Sequence, residues 1–332
     1  MRRTVFVGLW LLATAVFAWQ LTQGIHDFEA GALPALPIAL ALTIALIWWL
    51  PGPDARQAAD EPETRRGRLF LLSLTVLLAL MLVSTVFGPP LLFGVMALAV
   101  VVLLWLRQPI NHREAAYAAA LAVVAAVAAL PMIGAKFPPL LWAAMQIALV
   151  IPCLLAGWGV LRKTGLASAS VGRSLLLSDG WRAALTGAVQ GAVIGVPWAL
   201  LNPLMGGSNN NAWVTAWWRP LAALQPGIAE EAWGRMLPVP LLLLLLQRYA
   251  RTRAALTASV LVAGYWFAYL HTSRGFGAST MISTLMIGTL YCLPITYVWL
   301  RRGLETAMGF HFWQDFVRWV VAYMINTGLW FS

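Results

Sequence analysis

"PPLLWAAMQIALVIPCLLAGWGVL", Pro138 to Leu161, runs for 24 residues without a charged side chain and stops at Arg162 and Lys163. A helix needs about 20 apolar residues to cross roughly 30 Å of hydrocarbon, so this stretch predicts a transmembrane span. Comparable runs recur along the chain. Of its 332 residues 61% are hydrophobic and 10% charged, with 18 tryptophans, far from the balance of a soluble domain. The fold class this predicts is all-α, a polytopic transmembrane helix bundle of about 11 spans. The expected spans are 4–23, 31–50, 69–87, 90–106, 115–134, 138–161, 183–201, 221–247, 254–272, 277–300 and 304–326. The first follows Arg2 and Arg3 without a clear small-x-small cleavage pattern and is read as a retained anchor.

The net charge of +10 is a matter of orientation rather than of a nucleic-acid partner. With the N-terminus cytoplasmic, seventeen of the 22 Lys and Arg residues fall in inside segments, and Lys136, Arg219 and Arg274 fall outside. Arg235 and Arg318 remain within spans. The protein is therefore expected in a membrane, and its compactness suggests a prokaryotic plasma membrane, with the lipid bilayer as its constant partner. Cys153 and Cys292 each lie in an apolar run and form no CxxC, so they read as small core residues.

Two polar connections, 51–68 and 162–182, mark candidate boundaries. In the second, Ser178 or Asp179 of "LSDGW" offers a cap for the next helix. The first six spans carry scarcely any ionisable residue, whereas the last five hold Glu230, Glu231, Arg235, His271, Glu305, His311, Asp315 and Arg318. The expected organisation is thus an N-terminal six-helix membrane region, 1–161, of unassigned role and a functional core, 162–332. In the core, Gly187, Gly191 and Gly195 form a stripe that lets another helix approach. Trp213, Trp217 and Trp218 suit an aromatic belt at the membrane surface.

An ionisable side chain in a span costs roughly 2.5–3.5 kcal/mol and persists where it is paired or useful. In "GIAEEAWGRM", Gly227 to Met236, Glu231 and Arg235 are four residues apart and share a helix face, which favours an ion pair. Glu230 is turned about 100° away and meets only Gly234 one turn on. In "YWFAYLHTS" Phe267 and His271 share a face, and in "GFHFWQDF" His311 and Asp315 do. The other two histidines, His26 and His112, fall in expected loops. Each pairing also has a purely structural reading, as an ion-pair cluster, an interfacial helix start after Pro226 or a satisfied buried pair.

Taken together, EExxxR (Glu230, Glu231, Arg235), FxxxH (Phe267, His271) and HxxxD (His311, Asp315), in that order on separate spans, resemble the CPBP family. These are the CAAX proteases and bacteriocin-processing enzymes, also called ABI, which are intramembrane endopeptidases. The resemblance covers about 180–326 of the chain. It implies that Glu230 and His271 activate the water that attacks a peptide bond, and that His311 and Asp315 lie on the oxyanion side. Glu231, Arg235 and Phe267 would support the site. The implied substrate is a peptide or protein within or near the membrane, and no cofactor is required. A zinc held by the histidines and glutamates is the less favoured alternative, and the chain lacks HExxH.

Asp315 departs from the Asn of many relatives and would be protonated, orient His311, or pair with Arg318. Rival readings are a non-catalytic membrane scaffold or immunity-type protein, and a proton-coupled transporter. In straight spans Glu230, His271 and His311 sit at different depths, so they meet only if a span is tilted, broken or shifted.

Overall fold

The computed structural model of the protein describes residues 63–87, 91–107, 110–132, 138–165, 171–202, 211–272 and 275–329, with scattered positions between 4 and 45. Most of the expected spans 4–23 and 31–50, most of the connection 51–68, His26, Lys136, Arg274 and the Asn/Gly turn at 203–210 lie outside the described residues. Every element among the described residues is helical. In order these are α1 (Glu63–Phe87), α2 (Leu91–Leu106), α3 (His112–Ala129), α4 (Pro139–Lys163), the short α5 (Leu175–Asp179), α6 (Trp181–Asn202), α7 (Leu224–Glu231), α8 (Pro238–Leu246), α9 (Thr252–Leu270), α10 (Ala278–Ile287), α11 (Leu293–Arg302) and α12 (Leu304–Asn326).

Six helices among the described residues are long and apolar enough to cross a membrane: α1, α3, α4, α6, α9 and the continuous run from α10 through α11. The chain is a membrane protein on this basis, and large apolar side chains such as Phe70, Leu104 and Leu140 are exposed on its outer surface. α4 contains the uncharged run that ends at Leu161, and it is started by prolines whose missing N–H leaves no intrahelical bond unmade.

Two expected details differ. His112 is the first residue of α3 rather than part of a loop, because Asn111 accepts the Arg113 N–H at 2.9 Å and caps the helix there. Ser178 and Asp179 do not cap α6, since they lie inside α5, which Ser174 caps instead. Gly180 then supplies the turn at φ 89° and the carbonyl that opens α6. Glu305 completes this corner by accepting from Ser174 Oγ at 2.6 Å, Tyr117 Oη at 3.0 Å and the backbone N–H groups of Leu175 and Leu176. That buried carboxylate is structural.

The glycine stripe of α6 faces α12. A Cβ on Gly191 would overlap the Thr306 carbonyl, and one on Gly195 would press on the Phe310 backbone at 3.1 Å. Gly309 returns the contact against the Ala188 backbone. Between apolar helices in lipid, such close packing is a main source of association. Gly191→Leu is expected to push the two helices apart and cost about 1–3 kcal/mol or more. Comparative melting of the two proteins in the same detergent checks this, and an unchanged melting temperature would refute the close contact.

The expected span 221–247 is not one helix. It consists of a 3₁₀ turn, Arg219–Ala223, then α7, then a π turn at Ala232–Met236, then α8. Pro226 lies inside α7 rather than at a helix start. The cause of the break is local. Pro238 and Pro240 have no N–H to give to Gly234 and Met236, and the Leu237 N–H reaches back five residues to the Ala232 carbonyl at 3.0 Å. A second π turn, Gly288–Cys292, splits the run from α10 to α11, and Pro294 follows it at the same two-residue offset.

The hydrophobic core crosses the boundary drawn at 161/162, joining Val150 and Leu154 of α4 to Met236, Phe267 and Phe310. Gly157 lets α4 lie directly on the Met236 backbone, and Gln225 donates to Gln146 at 2.9 Å. The N-terminal helices therefore brace the broken segment that carries the two glutamates.

Candidate functional site

Gly227, one turn before the glutamates, has no Cβ to keep α7 off the Phe312 backbone, and this close approach brings α7 against α12 next to His311. Glu231, the last residue of α7, is fully buried, and its Oε1 lies 2.5 Å from Arg235 Nη1 in the π turn. Arg235 also donates from Nε to Thr296 Oγ1 at 3.1 Å, and Thr296 donates to the Cys292 carbonyl at 2.7 Å. Its guanidinium lies 4.9 Å from the centroid of the Phe267 ring. One arginine therefore ties together both broken segments and α9.

Phe267 reaches the guanidinium because Gly234 leaves room, since a Cβ there would overlap its ring. On its other side the ring centroid lies 4.7 Å from that of His271, which ends α9. His271 Nδ1 is 2.9 Å from the Phe267 carbonyl. A carbonyl only accepts, so Nδ1 carries the hydrogen, and Nε2 of the neutral ring presents a lone pair. His311 is held the same way by a different partner. Its Nδ1 lies 2.7 Å from Glu231 Oε1, the same oxygen that meets Arg235.

Both Nε2 atoms then face one oxygen, Glu230 Oε2, at 3.6 Å from His271 and 3.5 Å from His311. These separations are longer than a direct hydrogen bond. Three acceptor atoms around a single point make a place for a species that brings its own protons or positive charge. Asp315 Oδ2 stands 3.7 Å from His311 Nε2, while its Oδ1 is 2.8 Å from Arg318 Nη2. Of the three roles open to Asp315, pairing with Arg318 is the one realised as a direct contact.

Glu230, Arg235, Phe267, His271, His311 and Asp315 all line one cavity of about 520 Å³. Glu231 lies behind it. No protein-family model, curated protein or solved structure matches the chain.

Sequence reading alone did not single out Thr296 or Gln314, and it named Arg318 only as an alternative partner for Asp315. Thr296 is hydroxylic in an apolar helix, a weak signal, and only packing shows that it receives Arg235. Gln314, which lines the cavity next to Asp315, carries the stronger signal of an amide inside the expected span 304–326. Trp217 and Trp218 are exposed as a surface belt would require, whereas Trp213 packs edge-on to Trp319 at 5.1 Å. Cys153 and Cys292 are buried and free. Among the described residues no group of three or more His, Cys, Asp and Glu side chains forms a metal-binding set. His271, His311 and Glu230 nonetheless carry the donor atoms a zinc ion would use.

Proposed function

We propose that the protein is an intramembrane endopeptidase of the CPBP type, hydrolysing a peptide bond of a membrane-associated peptide or protein with a water activated by Glu230 and His271. The observation that carries this reading is the convergence of Glu230 Oε2 with two imidazole Nε2 atoms at 3.6 and 3.5 Å, each ring anchored through Nδ1. A water there would donate one proton to Glu230 as its oxygen adds to the substrate carbonyl carbon. When the C–N bond breaks, Glu230 returns that proton to the leaving amine, and the water oxygen stays in the new carboxyl group. His271 orients the water, and His311 and Asp315 lie on the side of the developing oxyanion. Glu231, Arg235 and Phe267 hold both rings in position.

The same proposal includes a chain of about 11 spans with a cytoplasmic N-terminus in a prokaryotic plasma membrane, for which the distribution of Lys and Arg is the support. It assigns no cofactor, and its partner is the peptide or protein substrate.

The test is purified full-length protein in liposomes, incubated with a library of apolar, internally quenched peptides and read by fluorescence and mass spectrometry. Cleavage that survives 1,10-phenanthroline and disappears with Glu230→Ala is the expected result. Cleavage lost to the chelator and restored by zinc would transfer the water to a metal held by His271, His311 and Glu230. An intact library would overturn the peptidase reading in favour of a scaffold.

A further inference from the structure

Gln314 and Arg318 stand one helical turn apart on α12, and both line the cavity. Gln314 is only 4% exposed, yet among the described residues its Nε2 finds no hydrogen-bond partner. Arg318 commits Nη2 to Asp315, while its Nε is buried and likewise unpartnered. Buried N–H donors without acceptors are costly and uncommon in native proteins.

The other amides of the cavity wall are already used. Asn202 Nδ2 donates to the Gln314 carbonyl at 3.4 Å, and Gln225 Nε2 donates to Gln146. The reacting centre itself is rich in acceptors: Glu230, Asp315 and the Nε2 atoms of both neutral imidazoles. Asp315, ion-paired to Arg318, has no hydrogen to give. Four residues of the wall, Arg235, Gln314, Arg318 and Trp319, keep a buried donor without a partner among the described residues, and those of Gln314 and Arg318 stand one turn apart on α12. A peptide carbonyl oxygen is the acceptor such donors lack. Since Asp315 neutralises the arginine, the pair suits an uncharged carbonyl better than a free anion.

We infer that Gln314 Nε2, together with Arg318 Nε, binds a carbonyl oxygen of the peptide substrate, which makes Gln314 a substrate-binding residue outside the three motifs. This rests on the peptidase reading, but it is tested separately from it. Full-length wild type, Gln314→Met, which removes the donor, and Gln314→Glu, which exchanges it for an acceptor, are first compared by melting to establish that they fold. Each is then titrated with acetylated, amidated trileucine, followed by tryptophan fluorescence, because Trp319 lines the same cavity. In parallel, KM and kcat are measured on the internally quenched peptides.

The expected result is that Kd and KM rise about tenfold in Gln314→Met with kcat nearly unchanged, the signature of lost uniform binding. Gln314→Glu weakens binding at least as much. Wild-type Kd and KM in either folded variant would overturn the inference, whatever Glu230→Ala does. Trileucine binding that depends on Gln314 without any cleavage would keep the subsite and remove the peptidase reading. A wild type that neither binds nor cleaves would remove both.

Discussion

Glu230→Gln is expected to leave the protein folded and to lower kcat about 10²–10⁴-fold, the range contributed by a positioned general base. The substitution keeps the side-chain shape beside both imidazoles and removes only the capacity to take a proton. Among the described residues Glu230 makes no direct ion pair shorter than 3.5 Å, so little of that structure depends on its charge. KM should move by much less than kcat, because the carboxylate acts on the water rather than on the bound peptide. Steady-state cleavage of a quenched peptide in liposomes gives both numbers. A variant within tenfold of wild type would mean that the water is activated by another group.

The neighbouring glutamate predicts the opposite kind of phenotype. Glu231→Met leaves Arg235 charged and buried without its 2.5 Å partner, and it takes the acceptor from His311 Nδ1. Breaking a buried pair in this way costs about 3–5 kcal/mol, most of it the penalty of the orphaned charge. The double substitution Glu231→Met with Arg235→Met should therefore recover part of that loss, since no unpaired charge remains. Unfolding in mixed micelles separates the three proteins. Equal stability of Glu231→Met and wild type would show that the pair does not hold the fold. Activity should fall in both variants, because the His311 ring loses the contact that fixes its tautomer.

Adjacent in sequence, Glu230 and Glu231 have different surroundings, Glu230 in the cavity wall and Glu231 behind it with Arg235, and that difference was legible from helix geometry. Consecutive side chains diverge by about 100°, so only one of the two can meet Arg235 one turn later. The stripe of Gly187, Gly191 and Gly195 was legible for a similar reason, since spacing along one helix shows a bare face before its partner is known. The partner, α12, was not legible, because nothing in the stripe specifies which backbone fills it.

The break at 232–236 shows where reading by hydropathy stops. An apolar run from 221 to 247 has the composition of a single span, and the disruptive effect of Pro238 and Pro240 on preceding carbonyls is invisible to an average over the run. A π turn absorbs the disruption here and places Arg235 between Glu231, Thr296 and Phe267. The cap before α6 was misplaced for a related reason. Ser174, Ser178 and Asp179 all have capping chemistry, but Ser174, held by Glu305 on a distant helix, caps α5 and draws Ser178 and Asp179 into it, which leaves Gly180 to open α6.

Composition and one-turn spacing, by themselves, determined that this chain is an apolar helical membrane protein and which polar side chains share a face within each helix. Those properties depend on 3.6 residues per turn and on the cost of charge in lipid, both of which act locally. Tertiary packing decided the rest: that Glu231 meets His311 across 80 residues of sequence, that Asp315 takes Arg318, and that Gln314 Nε2 is buried without a partner among the described residues. Such contacts depend on how closely two backbones approach, at Gly227 on Phe312 and at Gly191 on Thr306. That distance is set by pairs of surfaces far apart in the chain.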